Sequence, residues 1–337
     1  MNINRTSARR RIVIFSTEDI IPNIILNHTL GEIQSHGLRA QVFLTPILVR
    51  RQPHPPALAR MAFYETTLPR EVLYPALERG TAGWGFACNR ELRTFNELAR
   101  AYGDWDRIAT LDDPLVGAAL DHPEFLGAIS AHNYLLFKDR HLNRIRQRGG
   151  FVWNLHHGPL PDNRGILAPF WNLLEGRSAH GVSLHEVTDG IDTGALVATA
   201  RLRLSARRSV LASMIELAVP GAHLLVQTLR RLVHGHPVLP LPQPARSGLY
   251  RSFPDQDAIA RAEHRGIHLV GHPESMVDLY SDLYQLDADF VAGELWPAIA
   301  RFEAAWQRGS EPEPEGAQST PTWLPPAQAS NALTRFT

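Results

Sequence analysis

The amino-terminal part of the chain runs from an apolar segment through a helical pattern to a second apolar segment, and this order most constrains the fold. Residues 12–15 (IVIF) and 40–44 are short apolar runs typical of buried strands. Between them, residues 16–19 (STED) offer capping side chains to a helix predicted over 22–36, which Gly37 ends. A helix that crosses over between two strands lets the second strand run in the same direction as the first. The two strands are therefore expected to pair in parallel, with a right-handed crossover. The sequence therefore predicts the α/β class, with a Rossmann-like, mostly parallel sheet.

Later segments continue the alternation of strand and helix patterns. Further strands are predicted at 107–111, 125–130, 151–153, 179–187 and 195–204. Further helices are predicted over 69–78, 94–102, 133–148, 166–176 and 209–233, the last of these kinked at Pro220. Together these elements predict a first domain over residues 1–235.

The chain changes character after residue 235. A proline-rich linker leads into a small, mainly helical appendage, so residues 236–308 are predicted as a second unit. Its helices are predicted over 255–265, 277–286 and 293–308. Residues 309–337 are rich in Pro, Ser, Gln and Glu and are predicted to be a disordered tail.

Charge and cysteine content narrow the classes of partner. The 34 basic and 34 acidic side chains give a formal net charge of +0, so no global attraction to nucleic acid or to an anionic membrane is expected. Cys88 is the only cysteine, which excludes an intrachain disulfide and predicts a cytoplasmic protein. Neither a membrane nor a nucleic acid is predicted as a partner.

Three polar residues carry the chemistry that the sequence suggests. Asn154 and His156 follow the predicted strand 151–153 two positions apart, so both project from one side if the strand continues that far. Asp192 lies between two glycines in a predicted tight turn. An amide can donate to a developing oxyanion, an imidazole can move a proton, and a carboxylate can orient the imidazole. These groups suit acyl transfer, although their spacing does not by itself bring Asp192 to His156.

Three motifs carry a family resemblance. Residues 154–165 read NLHHGPLPDNRG, residues 168–176 read APFWNLLEG, and residues 180–194 read HGVSLHEVTDGIDTG. Together they resemble the folate-dependent formyltransferases, a family that includes methionyl-tRNA, glycinamide ribonucleotide and amino-sugar formyltransferases. The resemblance covers about residues 120–205 well. It implies the formyltransferase fold, N10-formyltetrahydrofolate as the formyl donor, and no metal.

The resemblance implies a role for each of the three polar residues. Asn154, His156 and Asp192 fall on the catalytic asparagine, histidine and aspartate of the family. The amide of Asn154 and an N–H of His156 would stabilise the oxyanion, and Asp192 would hold His156 or a water so that the proton of the amine can leave. His157 and Asn163 depart from the usual HPSLLPxYRG motif, in a loop that borders the amine-acceptor pocket of the family.

Residues around these three positions are candidates for binding. The candidates for contact with the folate donor are Tyr134, Leu135, Gly190 and Ile191, with core packing as the alternative for the first two. The candidates for contact with the acceptor are His157, Asn163, Arg164 and His185, with loop packing as the alternative for His157 and the strand surface for His185. No metal site is predicted from the histidines and Asp192, because an adjacent His-His pair does not match usual zinc-ligand spacing.

The leading hypothesis is an N-formyltransferase that acts on an amine or hydroxylamine of a small-molecule biosynthetic intermediate. Three alternatives stay open: a methionyl-tRNA formyltransferase, a formyltetrahydrofolate hydrolase with water as acceptor, and a non-catalytic binding protein on the same fold. The segment after residue 236 is short and lacks lysine, which counts against a tRNA acceptor. The appendage over 245–308 is expected either to cover the acceptor site or to form a homodimer contact.

Overall fold

The computed structural model describes residues 10–47, 55–84, 91–177, 179–203, 209–244 and 248–308. Its strands in chain order are β1 (Arg11–Ser16), β2 (Arg39–Leu44), β3 (Trp105–Arg107), β4 (Phe125–Ala131), β5 (Phe151–His156), β6 (Asn163–Gly165), β7 (Ala179–Glu186), β8 (Leu196–Arg203) and β9 (Leu249–Arg251). Seven of them form one sheet in the order β3-β2-β1-β4-β5-β7-β8, and β6 pairs with β9 separately. The sheet is parallel from β3 to β5 and antiparallel at β7 and β8. The predicted α/β class with a mostly parallel sheet is confirmed.

Helices cover the sheet and continue to the carboxyl-terminal part of the described chain. They are α1 (Ile20–Ser35), α2 (Pro56–Ala62), α3 (Tyr74–Trp84), α4 (Phe95–Tyr102), α5 (Pro114–Asp121), α6 (Asp139–Gln147), α7 (Ala168–Leu174), α8 (Val210–Val233), α9 (Gln256–His264), α10 (Pro273–Tyr284), α11 (Ala288–Phe290) and α12 (Trp296–Gln307). Wider π-helical turns occur at Phe63–Thr67, Pro69–Leu73 and Val291–Leu295.

The amino-terminal strand–helix–strand unit matches its prediction closely. Strands β1 and β2 pair in parallel over their full length, and β1 is almost wholly buried. Helix α1 begins at Ile20, two residues before the predicted start, because the carboxylate of Asp19 caps it by accepting the backbone N–H of Ile21 at 3.2 Å. Pro22 is tolerated there because the first turn of a helix leaves its N–H groups unpaired.

Three predicted elements are corrected by the structure. The strand predicted at 107–111 is the three-residue β3, which ends at Arg107. The helix predicted over 69–78 is part of a longer helical stretch from Pro56 to Trp84. The helix predicted over 133–148 begins only at Asp139, because the side chain of Asn133 accepts the N–H of Leu135 at 3.1 Å and closes a turn instead.

The carboxyl-terminal helices share the core of the first part of the chain. Buried residues of α9, α10 and α12 belong to the same hydrophobic cluster as β1 and α1. The hydroxyl of Tyr280 donates to the backbone carbonyl of Tyr64, and that of Tyr284 donates to Asn23 at 2.7 Å. The predicted helical appendage is therefore present and packs against the first part of the chain. The division at residue 235 stays a prediction, and the predicted tail over 309–337 lies outside the described residues.

Helix α8 is a core helix despite its composition. Its length and apolar character would suffice to cross a membrane, yet most of its residues are buried and pack in the main hydrophobic cluster. It begins at the cap residue Ser209 and continues through Pro220. It lies along α1 and against β7 and β8, beneath the strand that carries His185.

Candidate active site

Strand β5 places the first two polar residues on one side of the sheet. The strand runs through His156, three residues beyond its predicted end, so Asn154 and His156 project in the same direction. Its antiparallel neighbour β7 sets His185 directly opposite Asn154. The amide nitrogen of Asn154 lies 3.1 Å from Nε2 of His185. Two residues that are distant in sequence are thus brought together by strand pairing.

Asp192 completes the cluster from the loop after β7. Its Oδ2 lies 3.6 Å from Nδ1 of His156, and its Oδ1 lies 3.3 Å from Nε2 of His185. The three side chains are each no more than 10% exposed. One carboxylate therefore faces two imidazoles in a nearly dry site, where electrostatic interactions are stronger than in water.

Backbone carbonyls fix the orientation of both imidazoles. Nε2 of His156 lies 2.6 Å from the carbonyl of Asn163, so this nitrogen carries a hydrogen and Nδ1 faces Asp192. Nδ1 of His185 lies 2.8 Å from the carbonyl of Glu186, so its Nε2 is left to Asn154 and Asp192. A neutral His185 accepts from Asn154, whereas a protonated one donates to Asp192.

The charges around Asp192 keep it ionised. Burial by itself would raise the pKa of this carboxyl, but the imidazoles of His156 and His185 and the N–H of Gly165, which donates at 2.8 Å, hold the pKa well below its ordinary value. Asp192 is thus a fixed negative charge beside two groups that can take up a proton.

The loop that carries Asp192 is held at several points. Asp192 adopts a left-handed conformation with φ 54°, which is uncommon for any residue but glycine. The guanidinium of Arg164 donates twice to the carbonyl of Ile191, at 2.9 and 3.1 Å. The side-chain amide of Gln243 donates to the carbonyls of Asp192 and Gly194, at 3.0 and 2.6 Å. A Cβ on Gly194 would lie 1.7 Å from the carbonyl oxygen of Glu186, so only glycine fits there.

Hydrogen bonds from Ser183 fix the loop that follows β5, next to the imidazole of His156. The hydroxyl of Ser183 donates to the carbonyl of Gly158 and accepts the N–H of Leu160. A Cβ on Gly158 would lie 2.7 Å from Nε2 of His156 and 3.1 Å from the carbonyl of Asn163. Glycine at 158 therefore leaves the space in which His156 reaches that carbonyl.

The predicted acceptor residues occupy different positions relative to the cluster. His185 lies inside it. The side chain of Arg164 braces the Asp192 loop, and the amide of Asn163 exchanges hydrogen bonds with Asn172 at 2.7 and 3.2 Å. Nε2 of His157 is buried and has no hydrogen-bond partner among the described residues, and burial lowers the pKa of this imidazole well below its ordinary value. Contact of these residues with the acceptor stays a prediction.

The predicted donor residues fall into two groups. Gly190 and Ile191 lie in the Asp192 loop, where the carbonyl of Gly190 accepts from Thr193 at 3.1 Å. The hydroxyl of Tyr134 lies 3.2 Å from Nε2 of His132. Leu135 packs against a second, smaller hydrophobic cluster that includes Phe15 and Phe137. Their contact with the donor stays a prediction.

The sequence profile of the formyl transferase family matches residues 139–229, the segment that holds all four residues of the cluster. Residues 139–229 therefore match a formyl transferase domain. The chain is similar to curated relatives. Methionyl-tRNA formyltransferase of Synechococcus sp. (strain JA-2-3B'a(2-13)) is 34% identical over 159 residues, which are 45% of this chain and 47% of that protein. A second, from Synechococcus sp. (strain JA-3-3Ab), is 36% identical over 90 residues, 27% of this chain and 28% of that protein. The chain thus spans less than half the length of these relatives.

The fold around the formyl transferase domain is shared with a solved structure. A 4-N formyltransferase from Francisella tularensis superimposes with a TM-score of 0.50 at 14% sequence identity, over 79% of this chain and 90% of that chain. The overlap extends well beyond residues 139–229, and it supports the formyltransferase fold expected from the motifs.

Several residues of this domain and its surroundings carry no signal in the sequence motifs. Gln243 lies in the proline-rich linker, and its contact with the Asp192 loop follows only from the tertiary fold. Ser183 and Asn172 stand within the quoted motifs, but their roles in holding loops become visible only with the strand and helix in place. Ser183 lies two positions before the candidate His185 along β7, and this alternation is the hint that the sequence offers for it.

Proposed function

We propose that this protein is a folate-dependent N-formyltransferase that moves the formyl group of N10-formyltetrahydrofolate to an amine or hydroxylamine of a small-molecule biosynthetic intermediate. The observation that carries the proposal is the ionised carboxylate of Asp192 between the imidazoles of His156 and His185, with the amide of Asn154 beside them. The formyl transferase profile over the same segment supports it.

The bond changes follow from the chemistry of amide formation. The neutral amine attacks the formyl carbon, a new carbon–nitrogen bond forms, and the bond from this carbon to N10 of the folate breaks. The amine loses a proton and N10 gains one. The negative charge that develops on the formyl oxygen needs a hydrogen-bond donor, and a single such donor is typically worth about 3–4 kcal/mol in the transition state.

Asn154 supplies that donor. Its side-chain amide has two N–H groups, and only one is directed to His185. His156 is less free for this role than the sequence suggested, because its Nε2 hydrogen is bonded to the carbonyl of Asn163. We therefore assign stabilisation of the oxyanion chiefly to Asn154.

Asp192 and the two histidines take up the proton. A carboxylate whose pKa is held low by neighbouring imidazoles stabilises a proton on either ring. Protonation of His185 at Nε2 would turn its contact with Asp192 into a charge-assisted hydrogen bond and release the second N–H of Asn154. Proton uptake and oxyanion stabilisation are thus linked through one nitrogen.

The charge of the carboxyl-terminal helices favours a small acceptor. Residues 248–308 contain ten aspartates and glutamates against five arginines, with no lysine. Binding of tRNA depends on neutralising phosphates with a positive surface. A carboxyl-terminal segment with this excess of acidic residues fits a small amine better than a nucleic acid.

Methionyl-tRNA is a second candidate acceptor. The similarity to methionyl-tRNA formyltransferases of two Synechococcus strains supports it. That similarity covers less than half of each relative, so it does not by itself decide the acceptor.

A direct test incubates the protein with N10-formyltetrahydrofolate and a panel of amines, amino-sugar nucleotides, hydroxylamines and methionyl-tRNA. Mass spectrometry then identifies any acceptor that gains one formyl group. The expected result is formylation of a small amine that stops in the Asp192→Asn variant. Asp112→Asn is the matched control, because it removes another carboxylate that faces a histidine, 2.9 Å from His141, at the protein surface.

Other outcomes change the proposal in defined ways. Formylation of methionyl-tRNA alone would overturn the small-molecule acceptor. Release of formate without any amine would point to the hydrolase. Failure of every acceptor, together with no formate, would contradict the proposed enzyme and support a binding protein on this fold.

A further inference from the structure

A second cluster of ionisable side chains lies near the carboxyl ends of β1 and β4. Asp19 follows β1, His132 follows β4, and Glu65 comes from the first π-helical turn. Nε2 of His132 lies 3.7 Å from Oδ2 of Asp19 and 3.7 Å from Oε1 of Glu65. One ligand atom of each residue lies within 4.8 Å of the others. We call these three residues the Asp19 cluster.

Thr17 holds Asp19 and the backbone of His132 in place. Its hydroxyl donates to Oδ2 of Asp19 at 2.6 Å. Its backbone N–H donates to the carbonyl of His132 at 3.2 Å, and its hydroxyl oxygen lies 2.8 Å from the same carbonyl. His132 is thereby kept in the left-handed region with φ 56°. Such a conformation costs energy for a residue other than glycine, and it persists only where surrounding contacts enforce it.

One oxygen of Glu65 has no hydrogen bond that would explain its position. Its Oε1 is fully buried and accepts no hydrogen bond from any described residue, yet it is directed to the same imidazole nitrogen as Asp19. The side chain is 14% exposed, and those of Asp19 and His132 are 2% and 7% exposed. A buried, unpaired carboxylate oxygen is costly. Burial and the charge of Asp19 raise the pKa of Glu65 to about 8.

The Asp19 cluster holds more acidic than basic groups. Asp19 and Glu65 bring two carboxyl groups to one imidazole, and no described Lys or Arg side chain forms an ion pair with either of them. A cation placed between the three ligand atoms would neutralise both carboxylates and give Glu65 the partner that it lacks.

We propose that Asp19, Glu65 and His132 bind a divalent transition-metal ion of the Zn²⁺ class. Bonds of about 2.0–2.2 Å to nitrogen and carboxylate oxygen place tetrahedral ligands roughly 3.3–3.6 Å apart. The two separations from Nε2 of His132, 3.7 Å each, are close to this range, and all three ligand atoms lie within 4.8 Å of one another. Mixed imidazole and carboxylate ligands suit Zn²⁺, Co²⁺ and Mn²⁺. This site goes beyond the proposed formyl transfer and does not depend on it.

The neighbours of the site fit the role of supporting groups. Thr17 orients the Asp19 carboxylate by its hydroxyl donor, as groups around metal ligands commonly do. The hydroxyl of Tyr134 lies 3.2 Å from Nε2 of His132. A bond from this nitrogen to a metal ion would replace that hydrogen bond. The ligands come from three separate segments, so a bound ion would tie β1, β4 and the first π-helical turn together.

The test uses the full-length protein after dialysis against a chelator and then against metal-free buffer. Titration calorimetry with Zn²⁺ and with Co²⁺ is expected to give one site, and elemental analysis of the reloaded protein one metal ion per chain. Glu65→Gln removes one of the three ligand carboxylate and imidazole groups, and is expected to weaken binding by more than the roughly 10–100-fold that is typical for loss of an outer-shell partner. Asp112→Asn, which removes a surface carboxylate beside His141, is expected to leave the affinity unchanged.

Two results would overturn the proposal. One is the absence of any ion bound with one-to-one stoichiometry by the wild-type protein, which would leave the cluster as a proton-sharing group of buried acids. The other is equal affinity in wild type and Glu65→Gln. If Glu65→Gln does not fold, the visible absorption spectrum of the Co²⁺-loaded wild type is the deciding measurement. Intense absorption bands, typical of Co²⁺ with a low coordination number and lost when Zn²⁺ is added, would support the site. The absence of such bands would contradict it. Formyl transfer is not part of this readout.

Discussion

The cluster around Asp192 and the Asp19 cluster use the same residue types in opposite proportions. Asp192 places one carboxylate against two imidazoles, whereas Asp19 and Glu65 place two carboxylates against one, that of His132. Both clusters are almost dry and both adjoin the carboxyl ends of sheet strands. Burial by itself would raise the pKa of both carboxyl groups, Asp192 and Glu65.

The outcome is set by the neighbours. Imidazoles and the N–H of Gly165 outweigh burial at Asp192 and lower its pKa, while the charge of Asp19 adds to burial at Glu65 and raises its pKa to about 8. A carboxylate in the first setting is a stable anion for proton chemistry. A carboxylate in the second setting needs a proton or a cation. Four predictions test this contrast, from the largest expected effect to the smallest.

Replacing the charge between the two imidazoles should have the largest effect. We expect Asp192→Asn to lower the turnover number by about 10²–10⁴, because proton uptake loses its anion, with little change in the secondary structure. The variant should also be less stable at neutral pH. The folded-state pKa of Asp192 lies below its unfolded value, so this contribution is present above about pH 4 and disappears as the pH falls further. Single-turnover kinetics and denaturant titrations from pH 3 to pH 7 measure both; near-normal turnover would contradict the assignment.

The opposite sign is expected at Glu65. Its folded-state pKa lies above its unfolded value of about 4.5, so the folded state holds a proton that the unfolded state loses, and stability falls as the pH rises from about 5 to 8. In metal-free buffer, Glu65→Gln should abolish this fall, a difference of a few kcal/mol at pH 9, since one pKa unit corresponds to about 1.4 kcal/mol. Urea titrations of both proteins at pH 5 and pH 9 measure it. Parallel curves for the two proteins would refute the contrast between the clusters.

Gly158→Ala tests how closely the imidazole of His156 must be placed. The new Cβ would lie 2.7 Å from Nε2 of His156, so the ring must leave the carbonyl of Asn163. We expect turnover to fall by roughly 10²-fold, as for small displacements of a catalytic group, and stability to fall by about 1–3 kcal/mol. Steady-state kinetics and thermal melts are the measurements. A stability loss without a kinetic one would show that this orientation is dispensable.

Gln243→Ala should have the smallest effect. The variant removes two hydrogen bonds to the Asp192 loop, each worth about 0.5–1.5 kcal/mol. We expect a fall in turnover of several-fold with KM for the donor less affected, because the loop is loosened but Asp192 itself remains. Gln147→Ala, at the end of α6, is a control of the same chemistry away from this loop. An equal loss of turnover in both variants would show that Gln243 has no specific role in holding the Asp192 loop.

The regular part of the fold could be predicted from the sequence, and the irregular part could not. Strands such as β1 and β5 and the long helix α8 carry clear periodicity, so their positions are confirmed to within a few residues. The predicted helix start at Asn133 is wrong because a local side-chain turn competes with the helix. The extra length of the helix around 69–78 was missed because prolines at 56 and 69 resemble loop signals.

The candidate site divides in the same way. Asn154, His156 and Asp192 could be named from their motifs, and strand pairing then explains why His185 joins them. The Asp19 cluster carries no motif, because Glu65 lies far along the chain from Asp19 and His132, in a helix whose turns were not predicted. Contacts between distant segments of this kind depend on the packing of the whole core.

The bonds from Gln243 have a practical consequence for anyone who trims this protein. A fragment that ends at the composition change after residue 235 would keep Asn154, His156, Asp192 and His185. It would lose the two hydrogen bonds from Gln243 to the turn around Asp192. It would also strip away strand β9, against which β6 is paired. If the proposed function holds, the smallest active fragment is therefore longer than the stretch that bears the reactive groups.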